Sequence, residues 1–299
     1  MKLKAITGGS IATLACGMLS VHAQNLNGTL NSGFYGSALA VQTINTGFGN
    51  SAGGGDASGG SELDAAYGQV SGGNLYLFIA GDFEAGGNQL DVIIGGGGST
   101  VGQNTLSTTI SPMSAMNSSV LSSGMNATLF LSMNDYAGTW YTDAANLQAG
   151  TSTGGYVGAI SGSSGIYALS APSGGSYGVS GLMMALNNTH TSTQGAAGAA
   201  LSGATSGANT TTGLELEVPL ASLGSISGNI EVLAAINNGS DNYLSNQLLP
   251  GQPVGTGNIG SGILPANPGF FTVAVPEPST WAAAGVSGVL ALLGLRRRK

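Results

Sequence analysis

Residues 73–81 read Gly-Asn-Leu-Tyr-Leu-Phe-Ile-Ala-Gly, and this stretch decides the fold class. Successive side chains of a β-strand point to opposite faces, so Leu75, Leu77 and Ile79 share one face. The other face carries the tyrosine, the phenylalanine and an alanine of the same stretch. Both faces are apolar, which is typical of a central strand that is covered on two sides. The stretch therefore predicts a buried strand at residues 74–80.

Similar short apolar runs recur along the chain, separated by clusters of Gly, Ser and Asn. The runs predict further strands at Ala38–Ile44, Gln89–Ile94, Ala127–Met133, Gly178–Leu186, Gly213–Val218, Asn229–Ile236 and Phe270–Val275. Many short strands with frequent turn signals predict an all-β fold. We expect residues 24–275 to form one antiparallel, jelly-roll-like β-sandwich with Gly/Ser-rich loops.

One predicted strand carries two acidic residues, Glu215 and Glu217, between the apolar residues of Leu214–Val218. This alternation predicts a half-exposed strand with both carboxylates facing solvent. Pro219 is expected to end the strand, because a proline cannot donate to a sheet ladder. Residues 220–224 then predict a single helical turn that ends at a glycine.

The charged residues are few and unevenly distributed over the chain. It has 299 residues, 53 of them Gly, with 6% charged residues and a formal net charge of −7. All six basic residues lie at the two ends, so no Lys or Arg occurs between Ala5 and Leu295. A nucleic-acid-binding protein needs cations to displace counterions from phosphates, so nucleic acid is excluded as a partner. Phosphoryl transfer is disfavoured because it uses the same cations.

The N-terminus has the three parts of a secretory signal peptide. Lys2 and Lys4 precede an apolar stretch that ends at Leu19, and Val21 and Ala23 occupy the −3 and −1 positions of a small-residue cleavage site. This pattern predicts a signal helix in residues 1–23 and cleavage between Ala23 and Gln24. Cys16 would be removed with the signal, so the mature chain offers neither disulfide bonds nor a reactive thiolate.

The C-terminus combines a short motif, an apolar segment and a basic end. Pro276, Glu277 and Pro278 precede an apolar segment that begins near Trp281 and ends at Leu295. The segment predicts a transmembrane helix in residues 276–299, with Trp281 at one membrane interface. Four cations flank its inner end: Arg296, Arg297, Arg298 and Lys299.

This order of motif, apolar helix and basic tail resembles the PEP-CTERM sorting signal. The resemblance implies recognition by a membrane-embedded exosortase that cuts near the Pro-Glu-Pro motif after export. It implies a precursor that passes the Sec translocon and spans the inner membrane transiently by its C-terminal helix. The expected location of the product is the cell envelope or the extracellular matrix.

The central domain carries a second resemblance. The segments that carry it are 27–30, 34–36, 40–43, 46–49, 60–67, 73–81, 214–223 and 243–247. They resemble an uncharacterised extracellular β-sandwich group that is often joined to PEP-CTERM signals. More distantly, the domain is similar to family 9 carbohydrate-binding modules and DOMON-type domains. This similarity implies a sugar-binding role.

Trp140 and Tyr141, with Tyr136 nearby, are the best candidates for stacking on a sugar ring. Packing of one ring in the core and the other at its rim is the alternative interpretation. No cofactor and no metal ligand are predicted. Calcium is an open option, with oxygen ligands from Asp56, Glu62, Asp64 or Asp241.

The sequence predicts no catalytic residue and favours a non-enzymatic surface protein that binds neutral glycan or joins an exopolysaccharide matrix. The first alternative is a purely structural surface protein without a ligand. The second is a glycan hydrolase that uses a carboxylate pair, either Asp82 with Glu84 or Glu215 with Glu217.

Overall fold

The computed structural model describes residues 24–44, 46, 61–83, 86–148, 152–162, 164–169, 179–188, 207–224, 226, 228–253 and 255–276. Both expected terminal helices, the signal helix and the transmembrane helix, lie outside these ranges. Within the ranges, no helix has the length and apolar character that crossing a membrane requires.

The described residues form thirteen strands and one short α-helix. The helix α1 is Ser32–Tyr35, and the side chain of Asn31 caps its first turn by accepting from the amide of Phe34. The strands are β1 Ala40–Val41, β2 Glu62–Ser71, β3 Asn74–Asp82, β4 Gly86–Gly95, β5 Ala127–Tyr136, β6 Thr139–Asn146, β7 Thr153–Ser161, β8 Ser164–Leu169, β9 Leu182–Asn187, β10 Gly213–Pro219, β11 Ile230–Asn237, β12 Leu244–Leu249 and β13 Phe271–Val273. Short 3-10 helices occur at Met113–Met116, Gly207–Asn209 and Leu220–Leu223.

These strands form two antiparallel sheets, which confirms the all-β prediction. The first sheet has the order β1-β2-β3-β10-β9-β8. The second has the order β12-β11-β4-β5-β6-β7, and β13 also pairs with β11. The sequence did not predict β2, β6, β7, β8 or β12, whose polar and glycine residues obscure the alternation of apolar side chains.

The largest apolar cluster contains residues from both sheets, so the two sheets share one core. Leu77 of β3 and Leu216 of β10 represent the first sheet, while Val92 of β4 and Leu131 of β5 represent the second. The opposite face of β3 is also buried, because Phe78 packs in a second cluster with residues of the N-terminal segment. The prediction of a central strand covered on both sides is therefore confirmed.

Strand β10 corrects one sequence expectation. Its Glu215 is completely buried, whereas the alternation predicted a carboxylate facing solvent. The physical reason is that residues 24–35 return over this face and surround the carboxylate with hydrogen-bond donors. The expected turn after Pro219 is present as the 3-10 helix at Leu220–Leu223, and Gly224 ends it with a φ of 69°.

The outer face of the second sheet has two different halves. One half is apolar and is covered by loop residues such as Met113, Leu121 and Leu264. The other half is polar and adjoins the turn between β11 and β12 at residues 238–243. This polar half contains the strongest candidate for a functional site.

Candidate functional site

Two rows of side chains cross the polar half of the second sheet at neighbouring registers. In the first row, Asp91 of β4 pairs with Ser132 of β5, Ser132 with Asp143 of β6, and Asp143 with Tyr156 of β7. Directly opposed residues of paired strands share a face of the sheet. The first row therefore changes from acidic residues at the sheet centre to a tyrosine at its edge.

The second row lies on the same face, two residues away from the first row along β4, β5 and β6. Here Asn237 of β11 pairs with Gln89 of β4, Gln89 with Asn134 of β5, and Asn134 with Tyr141 of β6. The two rows and Asp241 are called the polar face below. Its members are Gln89, Asp91, Ser132, Asn134, Tyr141, Asp143, Tyr156, Asn237 and Asp241.

The β11–β12 turn places Asp241 over the centre of the polar face. Asp241 has a φ of 53°, and its amide donates to the carbonyl of Asn238 at 2.9 Å. The hydroxyl of Ser132 lies 3.3 Å from Asp241 Oδ2 and 3.2 Å from Gln89 Oε1. The turn is tied to the sheet a second time because Gln89 Nε2 donates to the carbonyl of Gly239 at 3.5 Å.

Asp91 and Asp241 form a buried acidic pair. Both side chains are inaccessible to solvent. Ser132 lies directly opposite Asp91 in the sheet, and its hydroxyl donates to Asp241 Oδ2 at 3.3 Å. Burial raises the pKa of Asp91 above its ordinary value, and hydrogen bonds from Ser132 and Asn237 oppose this shift. Burial is also the main cause that raises the pKa of Asp241, and the negative charge of Asp91 adds to it. Burial also raises the pKa of the neighbouring Asp143.

Each member of this pair retains one carboxylate oxygen without a partner. Asp91 Oδ2 accepts from Asn237 Nδ2 at 3.3 Å. The other oxygens, Asp91 Oδ1 and Asp241 Oδ1, are buried and accept no hydrogen bond from the described residues. Buried polar atoms normally have a partner, so each of these two oxygens retains the capacity to accept a hydrogen bond or to bind a cation.

The edge of the polar face carries three exposed tyrosines, called the tyrosine strip below. Tyr141 is 38% exposed and Tyr156 is 46% exposed, and their ring centroids lie 6.5 Å apart with a 50° angle between the planes. Tyr136 is 63% exposed and lies diagonally across β5 and β6 from Tyr141. The rings leave open aromatic surface beside the hydrogen-bonding groups of the polar face.

The prediction that Trp140 offers a stacking surface is wrong. Trp140 is 0% exposed and packs in the shared core, where its ring centroid lies 5.2 Å from that of Phe83. The reason is the alternation of side chains along β6, which points Trp140 inward and Tyr141 outward. Tyr141 is accessible, and its contact with glycan stays a prediction.

Of the four predicted calcium ligands, the three that the structure describes lie on different elements, with Glu62 and Asp64 in β2 of the first sheet and Asp241 in the turn between β11 and β12 of the second sheet. Asp56 lies outside the described residues. Asp64 Oδ2 accepts a 2.8 Å hydrogen bond from the Thr210 hydroxyl. In the part of the chain that the structure describes, no group of three or more Asp, Glu, His or Cys side chains is placed so that it could hold a metal ion.

Of the predicted carboxylate pairs, Glu84 lies outside the described residues, and Glu215 is enclosed by the N-terminal segment. The sequence analysis missed Asp91, Asp143 and Tyr156. A single acid within the apolar run Gln89–Ile94 was the available signal for Asp91.

The residues expected to direct sorting lie at the boundary of the described ranges. Pro276 is the last described residue; it is exposed and follows β13 closely. Glu277, Pro278, Trp281 and the four terminal cations lie outside the described residues, as does Ala23. Gln24, the expected first residue of the mature chain, is buried.

Comparison with known families identifies the C-terminal segment. Residues 274–299 match the family model described as the PEP-CTERM protein-sorting motif. This motif indicates an exported surface protein whose membrane-anchored precursor is processed by an exosortase. No curated protein and no solved structure matches the chain.

Proposed function

We propose that this exported protein binds neutral glycan at the cell surface through the tyrosine strip, without catalysing a reaction. The observation that carries the proposal is the position of Tyr141 and Tyr156, two exposed rings 6.5 Å apart beside a row of polar side chains. Tyrosine rings present apolar surface for a sugar ring, and neighbouring amides and carboxylates bind its hydroxyls.

The charge distribution supports a neutral ligand over an anionic one. No Lys or Arg lies between Ala5 and Leu295, whereas twelve acidic residues precede the Pro-Glu-Pro motif. An anionic polysaccharide would meet electrostatic repulsion and no cationic partner. The carboxylate of Asp143 beside Tyr156 instead suits a hydroxyl donor.

The route to the surface follows from the sorting motif and the expected signal peptide. The precursor passes the Sec translocon, loses residues 1–23 and stays in the inner membrane by its C-terminal helix. The exosortase then cuts near Pro276 and delivers residues 24–275 to the envelope or to an exopolysaccharide matrix. Pro276 is exposed, which supports access of the processing enzyme to this segment.

The test uses the protein that its host exports and processes. Native electrophoresis in gels that contain the neutral polysaccharide of the producing cells should retard the protein relative to a non-binding standard. Reducing ends in the same mixture should not increase. Unretarded migration in the gels that contain this polysaccharide would contradict the proposal and favour a purely structural role, whereas release of reducing ends would favour the hydrolase.

A further inference from the structure

The acidic pair on the polar face has a charge that no described side chain compensates. Asp91 and Asp241 are both inaccessible to solvent, and their Oδ1 atoms are buried without a hydrogen-bond partner. No Lys or Arg between Ala5 and Leu295 exists to neutralise them. Two buried carboxylates without a counter-charge are strongly unfavourable, so they require protons or an external cation.

We propose that Asp91 and Asp241 bind one calcium ion, with Gln89 and Ser132 supplying neutral oxygen atoms. All the candidate ligand atoms are oxygens: two carboxylates, the Ser132 hydroxyl, and the Gln89 amide oxygen that lies 3.2 Å from that hydroxyl. Calcium takes six to eight oxygen ligands of this mixed kind, including water, and tolerates irregular geometry. This donor set lacks the nitrogen and sulfur ligands that zinc or copper prefer.

The site would join two parts of the fold that are distant in sequence. Asp91 and Gln89 belong to β4, Ser132 belongs to β5, and Asp241 belongs to the β11–β12 turn. A cation held by both carboxylates fixes that turn onto the sheet, so metal binding should stabilise the folded state. Asp143, which interacts electrostatically with Asp241, extends the negative potential toward the polar edge.

This site differs from the set of acids that the sequence suggested. Only Asp241 is common to both, and Asp91 supplies the second carboxylate from an apolar strand. Calcium binding at this site is independent of glycan binding, because calcium uptake and stability can be measured without any glycan present.

The test is a calorimetric titration of calcium chloride into chelator-treated protein, isolated from a host that exports and processes the full chain. The expected result is one calcium ion per chain, with a dissociation constant of about 0.1 to 1 mM, as in other extracellular modules. In about 10 mM calcium the melting temperature should rise by roughly 5 °C. Absence of both binding heat and a melting shift would overturn the proposal.

Two conservative variants, Asp91→Asn and Asp241→Asn, should each abolish the calcium-dependent melting shift. Neither requires a cavity or a new charge, and each removes charge repulsion from the metal-free protein, so folding should persist. Glu231→Gln is the matched control, since Glu231 is an acid of the same sheet paired with Gly95 at the far end of β11. Its shift should equal that of the unaltered protein. Retention of the full shift in both Asp variants would refute this site.

Discussion

The side-chain amide of Gln24 donates a 2.9 Å hydrogen bond to Glu215 Oε1, across 191 positions of sequence. The same carboxylate accepts from the Tyr35 hydroxyl at 2.8 Å and from the amides of Asn27 and Gly28 at 2.9 and 3.2 Å. Burial, together with the charge of Glu215, raises the pKa of Tyr35 far above its ordinary value, so this hydroxyl stays a donor. One buried carboxylate thus holds the N-terminal segment on the first sheet.

Glu215→Ala should therefore lower the free energy of unfolding by about 2 to 4 kcal/mol, since it leaves several buried donors without an acceptor. Urea denaturation of the exported protein measures this change. Glu217→Ala is the control on the same strand. Glu217 is half-buried and accepts from Asn74 Nδ2 and the Tyr76 hydroxyl, so we expect a loss of about 1 kcal/mol or less. Equal losses in the two variants would contradict the anchoring role of Glu215.

Trp140 and Tyr141 are neighbours in sequence that should respond oppositely to substitution. Trp140→Ala removes a fully buried ring and should destabilise the protein by about 3 to 5 kcal/mol. Tyr141→Ala changes a partly exposed ring and should alter stability by about 0.5 kcal/mol at most. Thermal unfolding of both variants checks this order, and a Trp140→Ala protein as stable as the parent would show that the ring is not in the core.

The raised pKa values of the buried acidic pair should make the stability of the protein depend on pH when calcium is removed by a chelator. An aspartate in the unfolded chain has a pKa of about 3.9, and burial raises the pKa of both Asp91 and Asp241 above this value. At any pH between the unfolded-state pKa and the raised folded-state pKa values, the folded state therefore binds more protons than the unfolded state. Stability should be highest below about pH 4 for this pair and should decline as the pH rises through neutrality toward the folded values.

Urea denaturation at several pH values measures this decline. Asp91→Asn should flatten it by removing one of the two interacting acids, and saturating calcium should flatten it by replacing the protons. A decline of unchanged slope in Asp91→Asn would assign the effect to other groups.

Cleavage by the exosortase can be followed by mass, because it removes the basic C-terminal end of the chain. Replacing Pro276, Glu277 and Pro278 by alanine should block exosortase cleavage, because the sorting motif spans residues 274–299. We expect a longer product that retains Arg296 to Lys299. Intact-mass analysis of membrane and secreted fractions distinguishes it from the processed form.

Trypsin provides a control for that experiment. Residues 24–275 contain no Lys or Arg, so trypsin should leave the processed protein at one mass even after denaturation. Normal release of the triple-alanine variant would show that sorting does not use this motif.

The strand β3 was predictable from sequence because its apolar residues on both faces are contiguous in the chain. The environment of Glu215 was not, since local alternation in β10 cannot show that residues 24–35 return over the same face. The acidic pair was missed for a similar reason. Asp91 and Asp241 meet only through the pairing of β4 with β11 and the turn that follows. For Trp140 and Tyr141, the aromatic pair indicates a strand with one ring on each side but does not say which side is the core.

The most direct test of the proposed function is the affinity of the tyrosine strip for the neutral polysaccharide of the producing cells. The double variant Tyr141→Ala/Tyr156→Ala removes both rings, and Tyr243→Ala removes an exposed tyrosine beside β12 at the opposite edge of the second sheet. Affinity electrophoresis over a range of polysaccharide concentrations should show at least a roughly tenfold loss of affinity in the double variant. The Tyr243 variant should bind within about twofold of the unaltered protein. Equal affinity of the double variant and the unaltered protein would contradict the account.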